Sequence, residues 1–170
     1  MPSSQFPTIF AGTDYTAALI QSIVPWTARK EADTPRSNTT TLANDPDLTV
    51  PVVANGSYLF LCLLFATGAA ISTGDLKAAF TWPAGGSGKF GSAGLATGSA
   101  VPNWNGARTT SATSVAFGVN GAASTWMLLG GMLLNGATAG SLTLQWAQNT
   151  SNATATTLQL GSGLLVVRTA

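Results

Sequence analysis

Histidine is absent from the 170 residues. With it go His general bases, Ser-His and Cys-His nucleophile pairs and nearly every zinc constellation. Cysteine occurs once, at Cys62, so no disulfide can form within one chain. No Lys or Arg stands near it in sequence to stabilise a thiolate, and Cys62 reads as a small buried hydrophobe. Charge is scarce too: 8% of residues are Asp, Glu, Lys or Arg, against roughly 25% in an average soluble domain. The net charge of +1 is too small for the basic surface that nucleic-acid binding requires. Long apolar runs are missing as well. The greasiest stretch, Tyr58 to Ala66, spans nine residues, whereas a membrane-crossing helix needs about 20. Met1 to Phe10 carries no Lys or Arg and no apolar core of signal-peptide length, so no cleaved secretion signal is expected and synthesis in a cytoplasm is.

The six carboxylates offer little chemistry. Asp45 and Asp47, in Asn44-Asp45-Pro46-Asp47, are the one close pair. A retaining glycosidase needs two carboxyls about 5–5.5 Å apart across a bond, while Asp residues flanking a proline are expected in a solvent-facing turn between strands. The segment Gly85-Gly86-Ser87-Gly88-Lys89-Phe90 fails as a phosphate loop. Pro83 stands where the first Gly belongs, and Phe90 where Ser or Thr should follow the Lys. No enzyme, cofactor or metal site is expected.

What is present is apolar and neutral: 45% hydrophobic residues with 19 Gly and 8 Pro, a composition that folds and excludes charge-driven disorder. The length fits one domain. Between Arg29 and Asp47 lie seven of the thirteen charges, which marks a boundary. Residues 1–27 read as an N-terminal attachment arm and residues 28–170 as a β-sandwich domain. In the arm, Phe6, Ile9, Phe10, Tyr15 and Leu19 are too many large apolar groups for a solvated tail. They are candidate attachment residues. Thr13 or Asp14 could cap a short helix through Tyr15, Ala18, Leu19 and Ile23, ended by Pro25.

Beyond residue 30 the period is two. Leu142, Leu144 and Trp146 alternate with Thr143, Gln145 and Ala147, and Leu76, Ala78, Phe80 and Trp82 with Lys77, Ala79 and Thr81, the pattern of half-buried strands. Shorter runs lie at residues 48–53, 114–119, 156–160 and 163–168. The fold class expected is all-β, an antiparallel two-sheet sandwich of jelly-roll type preceded by an extended arm and short helix. Tyr58 to Phe65 and Trp126 to Leu134 are apolar on both faces, the latter interrupted by Gly130 and Gly131, which suggest a bulge. A second apolar face calls for another layer, most simply another copy of the chain. Tyr58, Phe60, Leu61, Leu63, Phe65, Trp126, Leu128 and Trp146 are therefore candidates for a subunit interface or the core. Trp82, Trp126 and Trp146 are expected in the core, and Trp104, in the polar Pro102-Asn103-Trp104-Asn105-Gly106, at the surface as a ligand contact. The segment from Pro83 to Asn105 is either a functional loop or a pair of edge strands.

Two stretches carry a family resemblance. Arg29-Lys30, Asn38-Thr39-Thr40-Thr41-Leu42, Asp45-Pro46-Asp47-Leu48-Thr49-Val50-Pro51-Val52 and Ala54-Asn55-Gly56-Ser57-Tyr58 form the first; Gly140-Ser141-Leu142-Thr143-Leu144-Gln145-Trp146-Ala147-Gln148-Asn149 with Gly161-Ser162-Gly163-Leu164 and Arg168 form the second. Together they resemble small virion structural proteins of tailed bacteriophages that infect actinobacteria. The resemblance implies a homotrimer with a tumour-necrosis-factor-like jelly roll, located in the virion after assembly in the host cytoplasm. Its first implied role is capsid decoration or head fibre, with the major capsid protein as partner. Its second is a tail fibre or minor tail protein, with host glycans as partner. Neither nucleic acid nor membrane is an expected partner.

Overall fold

The computed structural model describes residues 10–12, 14–70, 72–108, 110–121 and 123–170. The short helix α1 (Ala17–Ile23) opens the described chain. It is capped by Thr16, whose hydroxyl accepts a hydrogen bond from the Leu19 amide at 3.2 Å, and not by Asp14; Thr13 lies outside the described residues. The strands follow: β1 (Trp26–Arg29), β2 (Thr34–Arg36), β3 (Ala43–Val52), β4 (Ser57–Thr67), β5 (Leu76–Thr81), β6 (Ser87–Leu95), β7 (Pro102–Arg108), β8 (Val115–Phe117), β9 (Thr125–Leu134), β10 (Gly140–Gln148), β11 (Thr156–Leu158) and β12 (Gly163–Arg168).

They make two antiparallel sheets. The larger runs β1-β12-β4-β9-β6-β7, with β11 beside β4 and β2 beside β11; the smaller runs β3-β10-β5-β8. The pairs β1–β12, β3–β10, β4–β9 and β5–β8 nest from the chain ends inward, as in a long hairpin rolled into a sandwich. That is a jelly roll. The β6–β7 hairpin is an addition between β5 and β8 that extends the larger sheet past β9, so the Gly-rich segment is an edge hairpin. Strand β1 begins at Trp26 and pairs with β12, so the expected boundary after residue 27 falls inside a strand of the sandwich.

The core is filled by one face of each sheet, including Phe60, Cys62, Leu64, Met127, Leu129, Phe80 and Trp146. Gly131 lies between Phe60 and Phe90 on its two neighbouring strands. Phe80 of the facing sheet packs edge-on against both rings, at 4.8 and 5.3 Å between centroids. A Cβ at Gly131 would collide with the Lys89 carbonyl and with Phe90. The expected bulge at Gly130–Gly131 is absent: the β4–β9 ladder is continuous from Ser57 opposite Leu134 to Ala66 opposite Thr125. These glycines serve close approach, not a break in the ladder. The central strand β10 is buried on both faces along much of its length, Thr143, Ala147 and Gln148 included, where alternation suggested half-burial.

Asp45-Pro46-Asp47 is another correction. It lies within β3 and not in an exposed turn. Asn44 pairs with Gln145 and Thr49 with Thr143, so Pro46 sits in a bulge, where its missing N–H costs no ladder bond. Asp45 is buried.

Asp75, also buried, ties three loops together. Its carboxylate accepts hydrogen bonds from the backbone N–H of Ser72 and Val119, both at 3.3 Å, and of Gly98 at 2.9 Å. Asp75→Ala is expected to cost on the order of 3 kcal/mol, because buried donors lose a charged acceptor. Denaturant unfolding measures it, and a loss below about 1 kcal/mol would contradict this role.

Candidate interaction face

Side chains on a strand alternate between faces, so the register of the larger sheet fixes what it turns away from the core. One outward row runs Gly163, Leu63, Leu128, Ala93, Trp104; the next runs Leu165, Leu61, Gly130, Gly91; a third runs Val167, Leu59, Met132, Lys89. Leu59, Leu61, Leu63, Met132, Leu134 and Leu165 are each 37–55% exposed, and Trp126 is 56% exposed. Lys89 ends the third row, and beyond Gly163 the first row continues to Arg29 on β1. An apolar face of this continuity across five strands is a candidate interaction surface.

This distribution sorts the residues singled out from sequence. Tyr58, Phe60 and Trp146 point into the core; Leu61, Leu63 and Trp126 point outward, with Phe65 and Leu128 half-buried. Tyr58–Phe65 and Trp126–Leu134 are thus buried on one face only within a single chain. Trp126 was expected in the core, but its place opposite Phe65 puts it on the outward side. Trp104 is 83% exposed and stands at the end of an apolar row on edge strand β7, not in a polar loop. Met132, Leu134 and Leu165 were not singled out from sequence. Their signal was the same alternation, read from which partner residue each one faces.

The face is dented. Gly130 and Gly91 are neighbours on β9 and β6 and lie in a hollow of about 280 Å³ whose other walls include Leu61, Leu128 and the same chain's Trp104. Leu59, Leu61, Gly130, Gly131, Leu165 and Val167 line a groove of about 350 Å³. A second groove, of about 360 Å³, lies between Trp104 and Trp126, with Leu95, Asn103, Asn120 and Ser124 also in its walls.

The arm lies at the other end of the same sheet. Phe10 is 73% exposed, and Tyr15, Ile20, Ile23 and Val24 are exposed, while Leu19 is half-buried. Phe6 and Ile9 lie outside the described residues.

Several titratable groups are tied into the fold. Lys30, fully buried, donates to Asp45 Oδ1 and Oδ2 at 3.2 and 2.9 Å and to Asp47 Oδ2 at 2.9 Å. Asp45 also accepts from the Trp146 indole N–H at 3.1 Å and from the backbone N–H of Asp47 and Leu48. The hydrogen bond from Lys30 holds the Asp47 carboxyl below its ordinary range, burial opposes this, and the Glu31 amide reinforces the lowering. Arg36 stacks over Trp146 at 4.1 Å from the ring centre and donates to the carbonyls of Ala43, Asn44 and Trp146. Its burial lowers its pKa, with Asp45 acting the other way. Burial, with a smaller push from Asp45, raises the Cys62 thiol far above its ordinary value. It is a packing group with negligible thiolate at neutral pH. Among the described residues no cluster of Cys, Asp and Glu could hold a metal ion, and no helix is long and apolar enough to cross a membrane.

No protein-family model matches the chain, and no curated protein matches it. Among solved structures, the structure of infectious bursal disease virus, Gt strain, aligns with 98% of this chain and 47% of that one, at 10% identity and a TM-score of 0.23. The chain spans about half the length of that neighbour. An overlap so loose carries no weight for fold or role.

Proposed function

We propose that this chain is a virion structural protein: a homotrimer joined through the outward face of the larger sheet, decorating the outside of the capsid, with the N-terminal arm as its attachment to the major capsid protein. The observation that carries the reading is the continuous apolar face from Leu165 to Trp104. A stable subunit contact buries about 800 Å² per partner. Each large side chain withdrawn from water is worth about 1.5–3 kcal/mol, so a few per chain hold a permanent assembly. The resemblance of Ala28–Phe65 and Gly140–Arg168 to bacteriophage virion proteins supports the virion setting. The scarcity of charge suits a protein whose apolar surfaces are covered by neighbours.

Leu61 is the test residue, because it sits mid-face and is 45% exposed in the single chain. Leu61→Asp is expected to convert a trimer into a folded monomer at micromolar concentration, as read by sedimentation equilibrium, with the β-sheet circular dichroism spectrum retained. A wild-type protein that is already monomeric there would end the trimer reading.

The second reading is a tail component that touches host glycans. Its support is the Trp104–Trp126 groove with Asn103 and Asn120 in its walls. Copies per virion separate the two: shell decoration requires hundreds, a tail tip a few. Binding of host cell-wall oligosaccharides that disappears in Trp104→Ala would favour the tail reading.

A further inference from the structure

We propose that Lys30 and Asp45 become joined by an amide bond between Nζ and Cγ, formed inside the folded sandwich with Asp47 as the proton carrier and water as the leaving group. The reactants meet in the fold. Both side chains are fully buried, and the Lys30 nitrogen lies 3.2 Å from Asp45 Oδ1 and 2.9 Å from Oδ2, which sets the carboxyl carbon between those oxygens beside it. Asp45 Oδ1 accepts from the backbone N–H of Asp47 and Leu48 at 3.0 and 3.1 Å. Two amides on one oxygen are the arrangement that stabilises the negative charge of a tetrahedral adduct at that carbon. Asp47 Oδ2 is 2.9 Å from the same nitrogen, and its side chain, 22% exposed, borders solvent. Pro46 follows Asp45 and has no N–H, so the aspartyl carbon is closed to attack by the next backbone nitrogen, and Lys30 is the amine that faces it.

The step balances without a co-reactant. The Lys30 ammonium gives one proton to Asp47, its lone pair forms the bond to Cγ, and a second proton follows. Both are passed to Asp45 Oδ2, which leaves as water as the Cγ–Oδ2 bond breaks, and Asp47 ends as the carboxylate it began as. The lowered pKa of Asp47 is owed first to its hydrogen bond from Lys30, and that cause disappears once the ammonium gives up its proton. Holding amine and carboxyl in contact replaces a bimolecular encounter, an advantage equivalent to about 10⁵–10⁸ M. The product also removes two charges from an interior that disfavours them. The amide oxygen keeps the Asp47 and Leu48 donors, and the new N–H has Asp47 as acceptor. Against this stands one loss, the Trp146 indole N–H, which gives up Oδ2 as its acceptor. The ion pair is the state of freshly folded protein, and the bond accumulates from it. Lys30 follows β1 of the larger sheet and Asp45 lies in β3 of the smaller, so the bond fastens the two sheets together where the arm enters the sandwich.

Intact-mass spectrometry of the full-length protein, directly after refolding and again after days at neutral pH, reads the reaction. The mass is expected to fall by that of one water. After unfolding and digestion with trypsin, residues 30–36 and 37–77 should stay joined although the chain is cut after Arg36, and fragmentation should place the link at Lys30 and Asp45. Asp47→Asn keeps the Lys30–Asp45 pair and removes the proton carrier. Its bond should form at least about 100-fold more slowly, with the circular dichroism spectrum retained. Should that variant not fold, wild-type protein held unfolded in urea takes its place: it keeps every residue and lacks only the contact, and its mass should not change. A folded wild type whose mass is unchanged after days overturns the proposal. Water loss that proceeds equally in urea also overturns it, as does water loss without joined peptides, because an aspartyl residue that cyclises elsewhere loses water without linking two segments. An Asp47→Asn protein that reacts at the wild-type rate overturns the role given to Asp47.

Discussion

Replacing Lys30 by methionine is expected to destabilise the sandwich by about 3–5 kcal/mol at pH 7, the cost of leaving a buried charge without its partner. The Lys30 and Asp45 side chains are both fully buried and 2.9 Å apart, and Asp47 reaches the same ammonium group. Methionine keeps the length of the aliphatic stem and removes the charge, so Asp45 and Asp47 would face each other uncompensated. The strand that precedes Lys30 is the first of the sandwich, and its hold on β3 passes through this ion cluster. The pH dependence adds a second reading of the same effect. The Asp47 carboxyl is held below its ordinary value of 3.8, first by the Lys30 hydrogen bond. A depressed carboxylate contributes stability that is fully present above the unfolded-state value and is lost as pH falls through the folded one. Wild type therefore loses part of its stability on acidification below about pH 4. Lys30→Met lacks that contribution, so the gap between the two proteins narrows as the pH falls. Urea midpoints at pH 7 and pH 3.5 measure it. A gap under 1 kcal/mol at neutral pH, or one that widens with acid, would show that the cluster is not an anchor.

How far the sequence discloses this architecture depends on whether the signal is local. The alternation of Leu76 to Trp82 and Leu142 to Trp146 is local, and both segments are strands. The double-sided apolar runs were legible too, yet the sequence does not state what lies against the second face. In a single chain Leu59, Leu61 and Leu63 are open to solvent. For β6 the sequence leaves two alternatives, a functional loop or a pair of edge strands, because Gly and Ser give no side-chain period to read; its ladder is set by β9. Asp45 was misjudged because its partner, Lys30, lies fifteen residues away and the bulge that admits Pro46 is a property of the β3–β10 register. Trp104 was legible as exposed. Its membership of an apolar row with Ala93, Leu128 and Leu63 comes only from pairing across four strands. The hollow at Gly130 and Gly91 is likewise lined by residues that only the sheet brings side by side.

Removing residues 1–24 is expected to leave a folded trimer that no longer binds particles. The cut falls before Trp26, so β1 and its ladder to β12 stay intact, as does Lys30 with its two carboxylates. What is lost is the arm with Phe10, Tyr15 and Leu19, of which Phe10 and Tyr15 are largely uncovered by their own domain, together with Phe6 and Ile9. The helix in that arm has seven residues, too short to be stable alone in water; it touches β12 of its own sandwich, and a partner would cover the apolar side chains that this contact leaves exposed. If one arm contributes about 7 kcal/mol after ordering costs, a single attachment has a dissociation constant of about 10 μM. Three arms on one trimer change the arithmetic. The second and third bind at a local concentration of about millimolar, and avidity exceeds the single affinity by about 10²–10⁴. Losing all three should abolish attachment without a graded decline, while a trimer with one intact arm should bind weakly and reversibly. Particles lacking the protein, mixed with full-length or truncated trimer and sedimented, give the comparison. Full-length protein should pellet at saturating stoichiometry and truncated protein should stay in the supernatant with its unfolding midpoint unchanged. Truncated protein that pellets at full stoichiometry would mean that the sandwich makes the attachment and the arm does not.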